Sequence, residues 1–288
     1  MTRLAALAAV AVLLLAARPV SAAAPIAIVA AENFYGDIAT QIGGADVAVR
    51  SILTNPDQDP HLFEVSPAVG RDVSAARVVI YSGIDYDPWM QKLLHATQPA
   101  NRQVIVVADL VGRHQGDNPH IWYDPATMPA LAGNLAAVLT ADDPAHKAGY
   151  AQRLAQFRKS MLPVLAKIAA LRRRLAGTPM IATEPVFGYM FAALGIDVHN
   201  MPFQIAVMNN TEPAASDIAA FENDLRHHQV RLLVYNSQAS DPIATHMMQL
   251  AKASLIPVVG ATETEPPGET YQAWMLSELN AIDRAQPR

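Results

Sequence analysis

The chain has 288 residues, no cysteine, 21 Lys and Arg against 26 Asp and Glu, and a formal net charge of −5. Without cysteine it can form no disulfide, thiol nucleophile or cysteine-based zinc motif, and it has no cysteine that could carry a lipid anchor. The acidic balance argues against nucleic acid as a partner.

Residues 1–22, MTRLAALAAVAVLLLAARPVSA, have the layout of a secretory signal peptide. A basic Arg3 precedes an apolar run, and small residues end the segment. The run is shorter than the roughly 20 residues that span a membrane. We therefore predict a Sec-type signal peptide, a mature chain beginning near Ala23, and a periplasmic protein without a lipid anchor.

The first lobe is predicted over residues 23–142. Its strands are four short apolar runs: IAIVAAE, VAVRSIL, ARVVIYSG and RQVIVVADL. Helix-like stretches lie between them, and Ser66-Pro67 and Asp124-Pro125 are typical of a capped helix start with proline at its first position. Alternation of this kind predicts a parallel sheet covered by helices.

The segment 143–177 is predicted to be one long amphipathic helix that links two lobes. Its apolar residues recur at spacings of three and four: Leu154, Phe157, Met161, Leu165, Ile168, Leu171 and Leu175. Pro163 predicts a local kink and Gly177 a C-terminal cap. At 1.5 Å per residue the helix spans about 50 Å, and a strut of that length predicts little hinge motion.

A second lobe is predicted over residues 178–288. TPMIATEP, RLLVYNS and IPVVGATE are its predicted strands, with helices near 186–194, 213–227 and 241–254. The expected fold class is α/β: two lobes with parallel sheets flanked by helices, joined by one long rigid helix.

Three loops place metal-capable side chains next to predicted strand ends, where open α/β sheets bind ligands. His61 in NPDQDPHLFEVSP and His120 in GDNPHIWYDP each follow a proline and precede a predicted helix, and Glu184 in ATEPVFGYM follows a strand. A lone histidine in a loop is more often a surface residue, and a glutamate there can simply cap a helix. The repeated Pro-His unit favours a shared ligand.

The segments AENFYGDIATQIGG, SILTNPDQDPHLFEVSP and DNPHIWYDP, together with the long helix, resemble the metal-binding proteins that serve manganese and zinc ABC importers. The similarity covers essentially the whole mature chain. It implies a monomeric solute-binding protein, not an enzyme. Its cargo would be one divalent transition-metal ion, Mn²⁺ or Zn²⁺, and its partner the membrane permease of an ABC importer.

The resemblance also implies a set of ligands. His61 and His120 match the two histidines of the first lobe, and Glu184 matches the third ligand. The family's fourth ligand is an aspartate, but VVGATETEPPGETY contains none, so Glu263 is the best match and Glu265 an alternative. Asp241 is a further candidate, although its place before Pro242 is more typical of an N-cap.

Two imidazoles and two carboxylates suit Mn²⁺ or Fe²⁺ better than a three-histidine site does, but zinc binds most such sites more tightly than manganese. Zinc-type relatives often carry a long loop rich in His and Asp. Here ADLVGRHQGDNPH retains only His114 and Asp117, which favours manganese or a site that takes either ion. His114 is predicted to be exposed to solvent.

Two alternative functions remain at this point. A secreted metal-dependent hydrolase would need an open coordination position, and the sequence has no HExxH or GxSxG motif. A siderophore-binding protein of the same fold would have a wider cleft lined by Arg, Tyr and Trp.

Overall fold

The structure, a computed structural model, describes residues 24–55, 63–97, 101–239 and 241–286. The predicted signal peptide and His61 lie outside these ranges. No helix within the described part of the chain has both the length and the apolar character to cross a membrane.

The first lobe is a four-stranded parallel sheet of order β2-β1-β3-β4. Its strands are β1 (Ile26–Glu32), β2 (Val47–Leu53), β3 (Val78–Tyr81) and β4 (Gln103–Val106). The central strand β3 is buried along its whole length, whereas the edge strand β2 alternates between covered and exposed residues. Three of the four apolar runs therefore predicted strands correctly, since the strands of a parallel sheet are covered on both faces and are rich in apolar residues.

The fourth predicted strand, RQVIVVADL, is only partly correct. It ends at Val106, and the next four residues form the short helix α4 (Val107–Leu110). The backbone N–H of Ala108 donates to the carbonyl of Ser82, just beyond the end of β3, at 3.0 Å. This bond turns the chain out of the sheet although the sequence around it is apolar up to Asp109.

The other helices of the first lobe are α1 (Asn33–Gly43), α2 (Pro67–Ala75), α3 (Pro88–Ala96) and α5 (Thr127–Asp142). Ser66 caps α2 as predicted, since its Oγ accepts the N–H of Val69 at 3.4 Å. The predicted start of α5 at Asp124-Pro125 is wrong by about two residues. Asp124 instead accepts the N–H of Ala126 at 2.9 Å and so closes the turn that precedes the helix.

The linking segment is helical, but it consists of two helices and not of one. A 3-10 turn at Pro144–His146 leads into α6 (Lys147–Ser160), and Met161 separates α6 from α7 (Leu162–Leu175). The break lies two residues before Pro163, the second residue of α7, which has no N–H to donate to the helical hydrogen-bond ladder. Gly177 follows α7 with φ +75°, the left-handed conformation of a helix-terminating glycine.

The second lobe repeats the topology of the first, with strand order β6-β5-β7-β8. Its strands are β5 (Pro179–Ala182), β6 (Asp197–His199), β7 (Leu233–Asn236) and β8 (Val258–Ala261). Its helices are α8 (Gly188–Leu194), α9 (Met201–Met208), α10 (Ala215–Arg226), α11 (Pro242–Ala253) and α12 (Tyr271–Ala285). The predicted fold class, two parallel sheets flanked by helices and connected by a long helical segment, is confirmed.

An aromatic cluster fills the junction of the two lobes, and we call it the inter-lobe seam. Its members are Phe34, Trp122, Tyr123, Phe187 and Trp274, all at most 1% exposed. Ring centroids of Phe34 and Trp122 are 4.8 Å apart, and those of Tyr123 and Phe187 also 4.8 Å. The apolar core is thus continuous from one lobe to the other, in line with the expectation of little hinge motion.

The C-terminal helix α12 ties the lobes together a second time. The hydroxyl of Tyr271 donates to the carbonyl of Trp122 at 2.7 Å, and its backbone N–H donates to the carboxylate of Asp37 at 2.9 Å. Because both acceptors belong to the first lobe, the last helix of the second lobe is anchored on the first.

Candidate metal centre

Polar side chains from both lobes meet where the strands end. Glu184 follows β5, Asn236 is the last residue of β7, and Glu263 follows β8. His120 comes from the first lobe, after α4. Its Nε2 lies 3.6 Å from Oε2 of Glu263, so the structure brings a first-lobe imidazole against a second-lobe carboxylate.

The imidazole of His120 is completely buried and held on several sides. Its Nδ1 lies 2.7 Å from Oδ1 of Asn118, and the ring meets that of Trp122 edge to face at a centroid distance of 5.2 Å. The ring is therefore fixed in place, with Nε2 directed at Glu263.

Asn236 holds the two glutamates of the site on one amide group. Its Nδ2 donates to Glu263 at 2.6 Å and to Glu184 at 3.2 Å. The hydroxyl of Tyr86 donates to the other oxygen of Glu263 at 3.1 Å. The two carboxyl groups are buried, at 7% exposure for Glu184 and 2% for Glu263. Buried carboxylates this close to one another are stable only with a compensating cation or proton.

Glu265, the alternative to Glu263, lies in different surroundings. Asn33 holds its backbone through two hydrogen bonds, of 2.6 and 3.1 Å. Burial, followed by repulsion from Asp37 and Glu269, raises the pKa of Glu265 to about 9. Glu265 is therefore protonated at neutral pH, and the groups that act on it belong to its own loop and to α1.

Two other sequence candidates have structural positions of their own. Asp241 caps α11, where its carboxylate accepts the N–H of Ile243 at 2.8 Å and of Ala244 at 3.2 Å, as its N-cap interpretation predicts. His114 is exposed, which confirms that prediction.

The four-ligand site itself stays a prediction. Among the residues that the structure describes, no group of three or more His, Asp or Glu side chains has an arrangement that could hold a metal ion. The remaining predicted ligand, His61, lies outside those residues. The geometry supports His120, Glu184 and Glu263 as neighbours, and it favours Glu263 over Glu265.

Sequence reasoning missed three residues that support the site: Tyr86, Asn118 and Asn236. Asn118 stands inside the DNPH motif, and Asn236 is a polar residue at the carboxyl end of an apolar strand, which is a usable signal. Nothing in the local sequence singles out Tyr86.

A buried acid pair, Glu32 and Asp87, lies at the strand ends of the first lobe and was also missed. Asp87 accepts the backbone N–H groups of Ser82 and Gly83 at 2.6 and 2.9 Å. Burial raises the pKa of Asp87 to about 7, and burial together with the charge of Asp87 raises the pKa of Glu32 well above its ordinary value. The pair is stabilised by retaining a proton.

Two parallel α/β lobes, a long helical connection and buried His and Glu side chains between the lobes define a solute-binding protein of the helix-linked class. Residues 28–285 match the family model described as zinc-uptake complex component A, periplasmic, and the chain belongs to this family. The resemblance drawn from the sequence motifs is thereby confirmed.

Individual relatives are similar over nearly their whole length. The metal ABC transporter substrate-binding lipoprotein SloC of Streptococcus mutans is 25% identical, covering 89% of this chain and 89% of its own. The manganese ABC transporter substrate-binding lipoprotein PsaA of Streptococcus pneumoniae is 24% identical, and the match covers 88% of this chain and 87% of PsaA. In fold, the chain is similar to the periplasmic zinc-binding protein TroA of Treponema pallidum, with a TM-score of 0.77 and 16% identity. The match covers 92% of this chain and 100% of TroA.

Proposed function

We propose that this protein captures one divalent transition-metal ion, Mn²⁺ or Zn²⁺, between its lobes and delivers it to the permease of an ABC importer. The observation that carries the proposal is the convergence of buried His120 and Glu263 from different lobes, with Glu184 held beside Glu263 by Asn236. His61 is the other proposed ligand from the first lobe. Family membership and the names of the relatives support the choice of cargo and partner.

The proposed mechanism is capture without turnover. Imidazoles must be neutral and carboxylates ionised to bind the ion, so binding releases protons and affinity falls as the pH drops through the range in which histidine titrates. The importer would then bring about release by displacing ligands of one lobe relative to the other.

The burial of the site argues against a hydrolase. His120, Glu184 and Glu263 are each less than one tenth exposed, so within the described part of the chain these side chains offer little surface to a substrate. Catalysis by a bound ion needs an open coordination position that a substrate can reach.

The cleft beside the site argues against a siderophore. It has a volume of about 530 Å³, and its described lining includes Ile84, Tyr189, Met201, Ile205 and Met208 but neither Arg nor Trp. An anionic chelate would need such cationic or stacking groups.

The test is metal binding by a matched pair of variants. His120→Ala removes a buried proposed ligand, and His114→Ala removes an exposed histidine six residues earlier. We expect wild-type protein to bind one ion per chain in elemental analysis and titration. His120→Ala and His61→Ala should each lose about 100-fold or more in affinity, and His114→Ala should bind as wild type does. Equal binding by wild type and His120→Ala would contradict the proposal.

Three finer points belong to the same proposal: the mature protein is monomeric, it has no lipid anchor, and it works in the periplasm. Light scattering of the purified mature chain and fractionation of cells after osmotic shock test them. A membrane-bound or dimeric mature protein would require a revised account of how it reaches the importer.

A further inference from the structure

Asn118 makes hydrogen bonds to both lobes. Its Nδ2 donates to the backbone carbonyl of Pro185 in the second lobe at 2.7 Å. Its own backbone carbonyl accepts a hydrogen bond from the hydroxyl of Tyr189, also in the second lobe, at 2.8 Å. Its Oδ1 faces the first lobe, where the backbone N–H and the Nδ1 of His120 lie at 3.1 and 2.7 Å.

These partners fix which way the amide points. The carbonyl of Pro185 can only accept a hydrogen bond and the backbone N–H of His120 can only donate one, so exchanging the oxygen and nitrogen of Asn118 would break both bonds. The Nδ1 of His120 consequently meets an oxygen, and it must carry the hydrogen. In the neutral imidazole, the other ring nitrogen, Nε2, therefore presents its lone pair towards Glu263.

We propose that Asn118 is a positioning residue that couples the packing of the two lobes to the metal-binding form of His120. The inference rests on the proposed function for its metal, but its geometry does not depend on that metal. Pro185 directly follows Glu184, so one amide joins the backbone beside a proposed second-lobe ligand to the side chain of a proposed first-lobe ligand.

The coupling has a direct consequence for release. A displacement of the lobes that breaks the bond from Asn118 to Pro185 leaves the amide held only by its two contacts with His120. The position of the oxygen that faces Nδ1 of His120 is then less restrained, and the orientation and tautomer of the ring are less strictly fixed. Loss of such a supporting contact costs roughly 10- to 100-fold in metal affinity in known sites. A small local movement is thus sufficient to weaken the site.

Gly188 gives a way to disturb this contact without changing Asn118. It is the first residue of α8, and a Cβ added there would lie 2.7 Å from Nδ2 of Asn118. Alanine is at least as favourable as glycine in a helix. Gly188→Ala should therefore leave the fold intact while it forces the amide away from Pro185.

The experiment compares Asn118→Ala, Asn118→Asp and Gly188→Ala with Asn209→Ala, a control at an exposed asparagine of the same cleft. Long-range ¹H–¹⁵N spectra of the metal-free proteins report which ring nitrogen of His120 carries the proton. Hydrogen exchange reports the His120 backbone amide, and titration with Mn²⁺ and with Zn²⁺ gives the affinity.

For Asn118→Ala and Gly188→Ala we expect mixed tautomers, faster exchange at His120 and affinity reduced about 10- to 100-fold. Asn118→Asp keeps an acceptor for Nδ1 and should retain the wild-type tautomer, whereas its bond to Pro185 is lost and its metal exchange becomes faster. Asn209→Ala should match wild type in all three measurements.

A wild-type tautomer and wild-type affinity in Asn118→Ala would overturn the inference, as would mixed tautomers in Asn118→Asp. If thermal stability fell in Asn118→Ala with affinity unchanged, the role of Asn118 would be structural and the inference wrong. If wild-type protein bound neither ion, the proposed function would fail, while the spectra and exchange of the metal-free proteins would still test the contact.

Discussion

Glu263→Gln and Glu265→Gln form a matched pair that tests which glutamate completes the metal site. The two residues are two positions apart in one loop, both are buried, and the substitution is the same. Glu263 contacts Asn236 at 2.6 Å and lies 3.6 Å from Nε2 of His120, whereas Glu265 is surrounded by acidic groups and its pKa is raised to about 9.

The expected effects on Kd differ in size. Removing one member of a buried charged pair costs about 3–5 kcal/mol, which is roughly two to three and a half orders of magnitude in Kd. We therefore expect Glu263→Gln to weaken metal binding by at least about 100-fold. Glu265 is already neutral at pH 7, so Glu265→Gln should change Kd by less than about threefold.

The assay is a competition titration of both variants against a chromophoric chelator with Mn²⁺ and with Zn²⁺, with thermal unfolding of the metal-free proteins measured in parallel. Glu263→Gln removes a buried carboxylate, so the metal-free variant should be at least as stable as wild type. A large loss of affinity in Glu265→Gln with none in Glu263→Gln would refute the assignment and the reasoning from surroundings together.

Three further predictions concern stability. Burial raises the pKa of Glu278 to about 7 and that of Glu265 to about 9. The folded state thus holds protons that the unfolded state releases near pH 4.5. The thermal midpoint of the metal-free protein should therefore fall as the pH rises from 5 to 9. A midpoint that rose over this range would contradict those pKa directions. Asp241→Ala removes the cap of α11 and should lower the free energy of unfolding in urea by about 1 kcal/mol, without changing metal affinity. Trp122→Ala should lower the free energy of unfolding in urea by about 3–5 kcal/mol. A loss below about 1 kcal/mol would show that the inter-lobe seam contributes little to stability.

Much of the fold followed from periodicity, and the failures have physical causes. The run ending in VADL has Asp109 as its one charged residue after Arg102, and that residue comes after the turn that the bond from Ala108 to Ser82 creates, so the pattern does not mark the turn. The three-residue strand β6 contains a single apolar residue, Val198, and is an edge strand defined by its pairing with β5. Boundaries and short elements depend on partners that a local pattern does not contain.

The residues of the site could be predicted only where the signal lies in the local sequence. Strand ends and Pro-His units pointed to His120 and Glu184, because both signals are local. The support from Asn118 and Asn236 is not local: Asn118 bonds across 67 residues to Pro185, and Asn236 across 52 to Glu184. The choice between Glu263 and Glu265 likewise depends on which side chains from distant segments each of them meets.

The inter-lobe seam sets how the protein can exchange its ion. An aromatic side chain buries about 150–250 Å². Exposing half of that area for five rings would uncover about 500 Å², at a cost on the order of 10 kcal/mol. Fewer than about one molecule in 10⁷ would then be open at any moment. The protein therefore resembles a preformed chelator more than a trap that shuts. Hydrogen bonds from Tyr86 and Asn236 and the contact with Asn118 already hold the side chains of Glu263, Glu184 and His120, so little of the binding energy is needed to position them. Such a site cannot reject an unsuitable ion by failing to close, so discrimination between manganese and zinc falls to their relative supply and to the step at which the importer takes the ion.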